Sequence, residues 1–254
     1  MRYFVNLAYR GTNYNGWQSQ KNAISVQSVL EAHFSTILKE EIKITGCGRT
    51  DTGVHAKNFT AHFDSDNFRK FNTENFIQRI NRFLPSDIAI YDIYPVKPGA
   101  SSRFDAVSRT YEYHITCKKD PFNKDLSYLI SLKKFNEINM ELFLKACSIL
   151  KQHSDFTSFS KTGTQTKTNV CRIIEATAIK EENNFIFRIT ADRFLRNMVR
   201  AITGTLLDIA WGKMPPEALN DIILSKNRSS AGRSMPAQGL FLINVEYDSH
   251  ILCD

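Results

Sequence analysis

The chain has no Cys-x-x-Cys pair. Its five cysteines (Cys47, Cys117, Cys147, Cys171 and Cys253) are odd in number and scattered. That pattern excludes a disulfide frame and fits a reducing compartment. The six histidines keep no ligand spacing with the cysteines or with one another, which argues against a structural zinc site and leaves no metal expected. No apolar run is long enough to span a bilayer, and the first residues read as a strand rather than a signal peptide. A soluble protein of the cytoplasm is therefore expected. Low-complexity segments and short-period repeats are also missing. With 42% hydrophobic residues the composition is that of a globular protein, so disorder is excluded. What the chain has in excess is positive charge: 33 Lys and Arg against 26 Asp and Glu, a formal net charge of +7. The excess is moderate and favours a polyanionic partner without naming one.

At 254 residues the chain suits one large domain or two modest ones. Arg2 to Tyr9 reads as a strand, followed by a turn-rich segment with Gly11, Asn13, Asn15 and Gly16. Val26, Val29, Leu30, Phe34, Ile37 and Leu38 recur at helical spacing behind Ser25, a natural N-cap. Ile42 to Gly46 predicts a short strand. Phe59, Ala61 and Phe63 alternate with polar residues and predict a half-buried strand. A second helix, capped by Thr73, carries Phe76, Ile77, Ile80, Phe83 and Leu84 and stops at Pro85. Ile88 to Val96 is the next strand. The order β-α-β-β-α-β is that of ferredoxin-like and RNA-recognition modules. Residues 95–102 read as a linker. Beyond it, strands are predicted over 109–117, 170–179, 185–190 and 239–247, with helices around 142–150, from Phe194 to about Ala210, and from Pro216 to about Leu224. The second half thus repeats the first with one extra helix. The expectation is an α+β fold of two such halves, 1–100 and 101–254, whose antiparallel sheets join around a central cleft.

The densest chemistry lies in Gly46-Cys47-Gly48-Arg49-Thr50-Asp51-Thr52-Gly53-Val54-His55-Ala56. It sets one carboxylate between glycines, two residues after an arginine. An acid on a short, shaped loop beside a cation is how a carboxylate is kept ionised at a reaction centre. The plain alternative is a turn aspartate capping its own loop. A Rossmann reading fails because the glycines stand at 46, 48 and 53, and the Lys-Ser/Thr of a P-loop is missing. Arg49 is either a solvated charge or an ion-pair partner of Asp51. His55 and Cys47 flank the loop as scaffold residues. Asp64 and Asp66 show no spacing that would pair either with Asp51 as in a glycosidase. Tyr111 lies on the alternating strand from Arg109 as core, sheet surface or an aromatic face for a base. Arg193, Arg196 and Arg200 fall three and four apart, on one face of the predicted Phe194 helix. Tyr14 and Trp17, interleaved with glycines, are either folding punctuation or an RNA-contacting loop.

The loop resembles the signature of the tRNA pseudouridine synthase A family, and four further segments are similar to its motifs in order. These are Tyr9 to Gln18, Arg103 to Tyr111, Phe194 to Leu207, and Pro236 to Tyr247. The resemblance implies an isomerase that converts uridine to pseudouridine at positions 38, 39 and 40 of the tRNA anticodon stem-loop, with no cofactor and as a homodimer. It further implies Asp51 as the catalytic residue, Tyr111 as the ring stacking on the target base and Arg200 as the cation pairing with the aspartate. That leaves Arg49 for phosphate or base contact and Arg193, Arg196 and Tyr14 for RNA binding. Thr52 stands where the family usually has alanine, and so does Met235 before Pro236. An RNA-binding module without chemistry is disfavoured because the strands lack an aromatic RNP1-type segment. A base-excising glycosidase is excluded if the uracil stays in the product.

Overall fold

The mixed apolar and aromatic run from Arg2 becomes strand β1 (Arg2–Tyr9), in which Phe4, Val5 and Leu7 are fully buried. A computed structural model describes residues 1–161, 163 and 167–253. Helix α1 (Val26–Leu38) follows, and Ser25 caps it as expected. Its hydroxyl accepts from the Ser28 N–H, while the Ser28 hydroxyl accepts from the Ser25 N–H, each at 3.1 Å. This is a capping box with serine in the place of the usual Glu or Gln. Val26, Leu30, Phe34 and Leu38 turn inward from it.

The strand predicted over 42–46 shrinks to β2 (Thr45–Gly46). The reason is local. The Ile42 N–H donates to the Ser35 hydroxyl and the Ile44 N–H to the Glu31 carboxylate, each at 2.9 Å, so side chains of α1 take the donors a ladder would need. Strand β3 (His55–Asp64) is not half-buried as its alternation predicts. Its polar residues Thr60 and His62 are buried as well, at 2% and 8% exposure, because Asn6 and Ser102 supply hydrogen bonds to them. Helix α2 (Thr73–Phe83) is capped by Asn72, whose side chain accepts from the Asn75 N–H, and Thr73 is its first residue rather than its cap. Phe83 is 60% exposed, so the buried face of α2 is narrower than its apolar content suggests. Strand β4 (Ile88–Pro95) lies beside β1, and β1 lies antiparallel to β3.

Residues 95–102 form no free linker. The Lys97 N–H donates to the Ile251 carbonyl, Arg2 donates to the Ala100 carbonyl, and Val96 and Ala100 pack with Phe4 and Ile251. The same arginine grips Asp64 through both carboxylate oxygens, at 2.9 and 2.8 Å.

The later part of the chain contains strands β5 (Ala106–Thr116) and β6 (Tyr128–Leu129) and helices α3 (Leu132–Asn136) and α4 (Met140–Leu150). Strands β7 (Ile173–Lys180) and β8 (Asn184–Ala191) follow as a hairpin, then helices α5 (Met198–Ala210) and α6 (Ala218–Leu224), and finally β9 (Leu240–Tyr247). Strand β8 pairs antiparallel with β5, whereas the two-residue β6, with α3, is an insertion that hydropathy does not announce. Two units result: Met1–Val107 with the chain from Leu242 onward, and Ser108–Phe241. The end of β9 belongs to the first unit, beside β3, where Asn58 donates to Asn244 and the Tyr247 hydroxyl donates to the Ser102 carbonyl at 2.6 Å. The protein is thus of the α+β class. No helix is long and apolar enough to cross a membrane among the described residues.

Two measurements check this account. A Cβ at Gly46 would lie 2.6 Å from the Trp17 indole and 2.7 Å from the Phe59 ring, both fully buried. Gly46→Ala is expected to cost on the order of 1–3 kcal/mol of stability by overpacking, read as a lowered urea midpoint. An unchanged midpoint means the two rings move aside freely. The second concerns Glu112, a buried carboxylate on β5 that takes hydrogen bonds from His114 at 2.9 Å and from Arg188 at 2.6 Å. The His114 bond, then that of Arg188, hold its pKa down at about 2 against the opposing effect of burial. A carboxyl lowered on folding stabilises the fold above its unfolded pKa, near 4.5. That contribution is lost as pH falls from there towards 2. Glu112→Gln should therefore cost on the order of 1–3 kcal/mol at neutral pH. The gap to the wild type should close below pH 4.5. A gap independent of pH would assign the loss to packing.

Candidate active site

The Asp51 loop leaves β2 at Gly46 and re-enters the sheet at His55, and both flanks are anchored. On the entry side Cys47 is buried and its N–H donates to the Thr60 carbonyl at 2.8 Å. Gly46 lies directly against Trp17, which stacks on Phe59 with ring centroids 4.0 Å apart. Thr50 is buried, shares a 2.9 Å hydrogen bond with the Tyr9 hydroxyl, and offers its carbonyl to the Trp17 N–H at 3.2 Å. On the exit side the Val54 N–H donates to the Asp51 carbonyl, closing a turn in which Gly53 has φ +78°. Val54 and His55 are buried at 1% exposure. His55 Nδ1 accepts from the Gly11 N–H at 3.0 Å, so His55 is a scaffold residue as expected. Asp51 itself is half-buried between these anchors, while Arg49 and Thr52 are exposed. Such a loop presents its carboxylate from a backbone that cannot drift.

The Tyr9 to Gln18 segment is therefore the cradle of the loop. Tyr14, expected to touch RNA, is buried at 4% exposure and its hydroxyl donates to Asp87. Burial, then that bond, push its phenol upward from the ordinary value. Its ring packs inside the first unit. The Arg49 Nε donates to the Gln18 side-chain oxygen at 3.0 Å. Asp64, clasped by Arg2, is a structural acid.

In the second unit Tyr111 sits on β5 opposite Ile189 of β8, with 9% of its surface exposed. Its ring meets that of Phe194 edge-on, at 5.1 Å and 86°. Tyr113, two residues along, is fully buried and donates to the Pro236 carbonyl at 2.7 Å. The two tyrosines share a side of the strand but differ in access.

The predicted basic stripe is not there. Helix α5 begins at Met198, so Arg193 and Arg196 precede it in irregular chain. The break has a residue-level cause. Asn197 adopts left-handed geometry, φ 67°, a conformation asparagine tolerates better than most residues, and its amide donates to the Ser234 hydroxyl at 2.6 Å. The carboxylate of Asp192 accepts from the backbone N–H groups of Arg172 and Arg193 and fixes the turn out of β8. Helix α5 itself is buried nearly all round. Arg200 is half-buried on it, with Nε donating to the Met235 carbonyl at 2.6 Å, and the Met235 N–H returns a bond to the Arg200 carbonyl. That approach needs Gly204, where a Cβ would lie 1.9 Å from the Arg233 carbonyl oxygen. Met235, a departure from the family pattern, is fully buried.

Arg49 and Asp51 thus share one loop of the first unit, while Tyr111, Arg193, Arg196 and Arg200 belong to the second. Sequence reasoning named His55 as scaffold and missed the other supports, Tyr9, Asn197 and Gly204. Only the interleaving of aromatic residues with glycine before Gln18 hinted at any of them. Among the described residues no group of three or more His, Cys, Asp or Glu is placed to hold a metal ion.

Comparison with known proteins matches residues 146–248 to a family model described as tRNA pseudouridine synthase. Relatives named tRNA pseudouridine synthase A match along nearly the whole chain. The protein from Bacteroides fragilis is 46% identical over 98% of both chains. That from Bacteroides thetaiotaomicron is 45% identical over 100% of this chain and 93% of its own. At a greater distance, that from Clostridium acetobutylicum is 40% identical over 96% of this chain and 98% of its own. Two chains alike to this degree from end to end share one fold and one ancestry, and this chain belongs to the tRNA pseudouridine synthase A family.

Proposed function

We propose that the protein isomerises uridine to pseudouridine in the anticodon stem-loop of tRNA, at positions 38, 39 and 40, and works as a homodimer in the cytoplasm. The observation that carries this reading is 46% identity over 98% of both chains to a protein named tRNA pseudouridine synthase A. The doubly anchored loop that presents Asp51 supports it independently. In the reaction the N1–C1′ bond breaks, the uracil turns, and a C5–C1′ bond forms. The C5 proton leaves and N1 gains one, so atoms balance and no redox partner is required.

The difficulty is to hold a detached base while it turns, which calls for positioning more than for reactive groups. Asp51 is the catalytic carboxylate of this reading, and the rigidity of its loop is what such a role needs. Tyr111 provides the aromatic face that replaces the stacking neighbours an extruded uracil has lost. Arg200, held by Met235, is the cation that the family resemblance assigns to the carboxylate, and Arg49 contacts the substrate. Arg193 and Arg196 contribute charge for RNA phosphates. In this reading both halves keep the ferredoxin-like plan.

Asp51→Asn preserves shape and removes the charge. Release of tritium from 5-tritiated uridine in tRNA should fall below about 1% of wild type, with tRNA affinity kept within a few-fold in filter binding. Turnover above a few per cent would remove Asp51 from its role. For Tyr111, stacking is worth on the order of 1–3 kcal/mol. Tyr111→Ala should therefore slow single-turnover conversion about 10- to 100-fold, whereas Tyr111→Phe keeps the π-face and most of the rate. Equal loss in both variants would show that the hydroxyl moves a proton, and no loss in either would return Tyr111 to the sheet.

A further inference from the structure

Beside the Asp51 loop, wholly within the first unit, is a cavity of about 90 Å³ lined by Gln18, Thr45, Gly46, Gly48, Arg49 and Arg103 among others. Sites for small organic molecules run to roughly 300–1,000 Å³, so this one is small for a whole nucleoside. It is large enough for a single compact polar group. Arg49 and Arg103 are both among its lining residues, and none of those residues is acidic. The nearby Glu31 carboxylate is already engaged by the Gln27 amide and the Ile44 N–H.

Both arginines are fixed at their base. Arg49 is oriented through Nε by Gln18. Arg103 follows Ser102, whose N–H donates to His62 Nδ1 at 3.1 Å and whose hydroxyl donates to the Thr45 carbonyl at 2.9 Å. The Ser101 N–H is held by Asp105 at 2.8 Å, and the Arg103 guanidinium lies over the Phe104 ring at 5.3 Å. Arg103 thus joins the lining of the cavity from a segment clamped to β2 and β3.

Gly48 gives a second, independent pointer. Gly46 cannot carry a Cβ because Trp17 and Phe59 are in the way. At Gly48 a Cβ would meet nothing within 4 Å, and its φ is not positive. Neither packing nor a left-handed φ accounts for the glycine. Bare backbone facing open space beside two arginines is the arrangement that lets an anion approach the main chain closely.

We propose that this cavity seats one phosphate of the RNA backbone beside the target uridine, gripped by Arg49 and Arg103. The proposal deepens the reading of the protein as a tRNA-uridine isomerase and rests on it for the identity of the anion. Guanidinium forks match phosphate oxygens in pairs, and such charge-assisted bonds are the strong ones. Arg49 thereby gains a phosphate role, distinct from pairing with Asp51, and Arg103 joins the substrate-binding residues.

The test uses the full chain and anticodon stem-loop RNAs carrying one uridine, each with a neutral methylphosphonate replacing a single phosphate near it. Arg103→Gln should weaken binding of the unmodified RNA about tenfold and reduce the slope of log affinity against log salt by about 0.7–0.9. At one phosphate position the methylphosphonate should weaken the wild type to the same extent and the variant no further, the non-additivity of a shared contact. Arg49→Gln should couple to that same position. The proposal falls if Arg103→Gln binds every RNA like the wild type with an unchanged slope, or if the losses simply add at every position. Pseudouridine formation by the wild type is scored separately. If it is present without coupling, the phosphate seat fails alone. If coupling is found without any pseudouridine, the seat stands and the reading of the reaction fails.

Discussion

The stacking of Trp17 on Phe59 over Gly46 is the contact on which the candidate site depends. Burying each ring removes roughly 150–250 Å² from water, worth on the order of 4–6 kcal/mol gross. The stack ties three parts of the chain together. Trp17 belongs to the segment after β1, Phe59 to the middle of β3, and Gly46 to the last residue before the loop. Backbone bonds extend the tie, since the Trp17 N–H reaches the Thr50 carbonyl and the Trp17 carbonyl receives the Gln27 N–H at the start of α1. Without this wedge the eight residues 47–54 would be an ordinary mobile loop. With it, Asp51 stands on a backbone fixed from below.

The polar groups around this wedge divide by what occupies them. Asp64 is clasped by Arg2, Asp87 by Tyr14 and Asn13, and Glu31 by Gln27 and the Ile44 N–H. Each of these carboxylates holds two pieces of scaffold together, and a group so engaged is poorly placed for chemistry. His55 and His62 are buried and serve as acceptors for backbone N–H groups. Burial, more than any neighbouring charge, takes the pKa of His62 down to about 4, so near neutral pH it accepts the Ser102 N–H as an uncharged ring. Both histidines hold loops at the edge of the sheet, which is a structural use of a residue often suspected of catalysis.

In the second unit the corresponding device is the contact between α5 and residues 231–235. A bare Gly204 lets the Arg233 carbonyl close onto the helix, the Gly232 N–H donates to the Thr205 hydroxyl, and Arg228 binds the Gly232 carbonyl and the Ser234 hydroxyl. Met235 is thereby set where its carbonyl receives Arg200. A cation on an almost wholly buried helix is placed by the main chain of another segment, and its direction is set before any substrate arrives.

The sequence by itself determined the elements and the loop. Apolar spacing marked β1, α1, α2, β4, the β7–β8 hairpin and β9, and Ser25 announced its own cap, because these features depend on residues only a few positions apart. The Arg-Asp loop was legible for the same reason: its residues are contiguous. Tertiary structure decided what contiguity cannot encode. Ile42 and Ile44 left the ladder because α1 captured their N–H groups, Thr60 and His62 went inside because partners awaited them, and α5 started late because Ser234 bonded Asn197. The last strand crossed back to the first unit, where the Tyr247 hydroxyl meets a carbonyl 145 residues away. A local pattern records which face of an element is apolar. It holds no record of which distant donor or acceptor will satisfy that element's polar groups, and those pairings set the ends of the elements and the placing of the site.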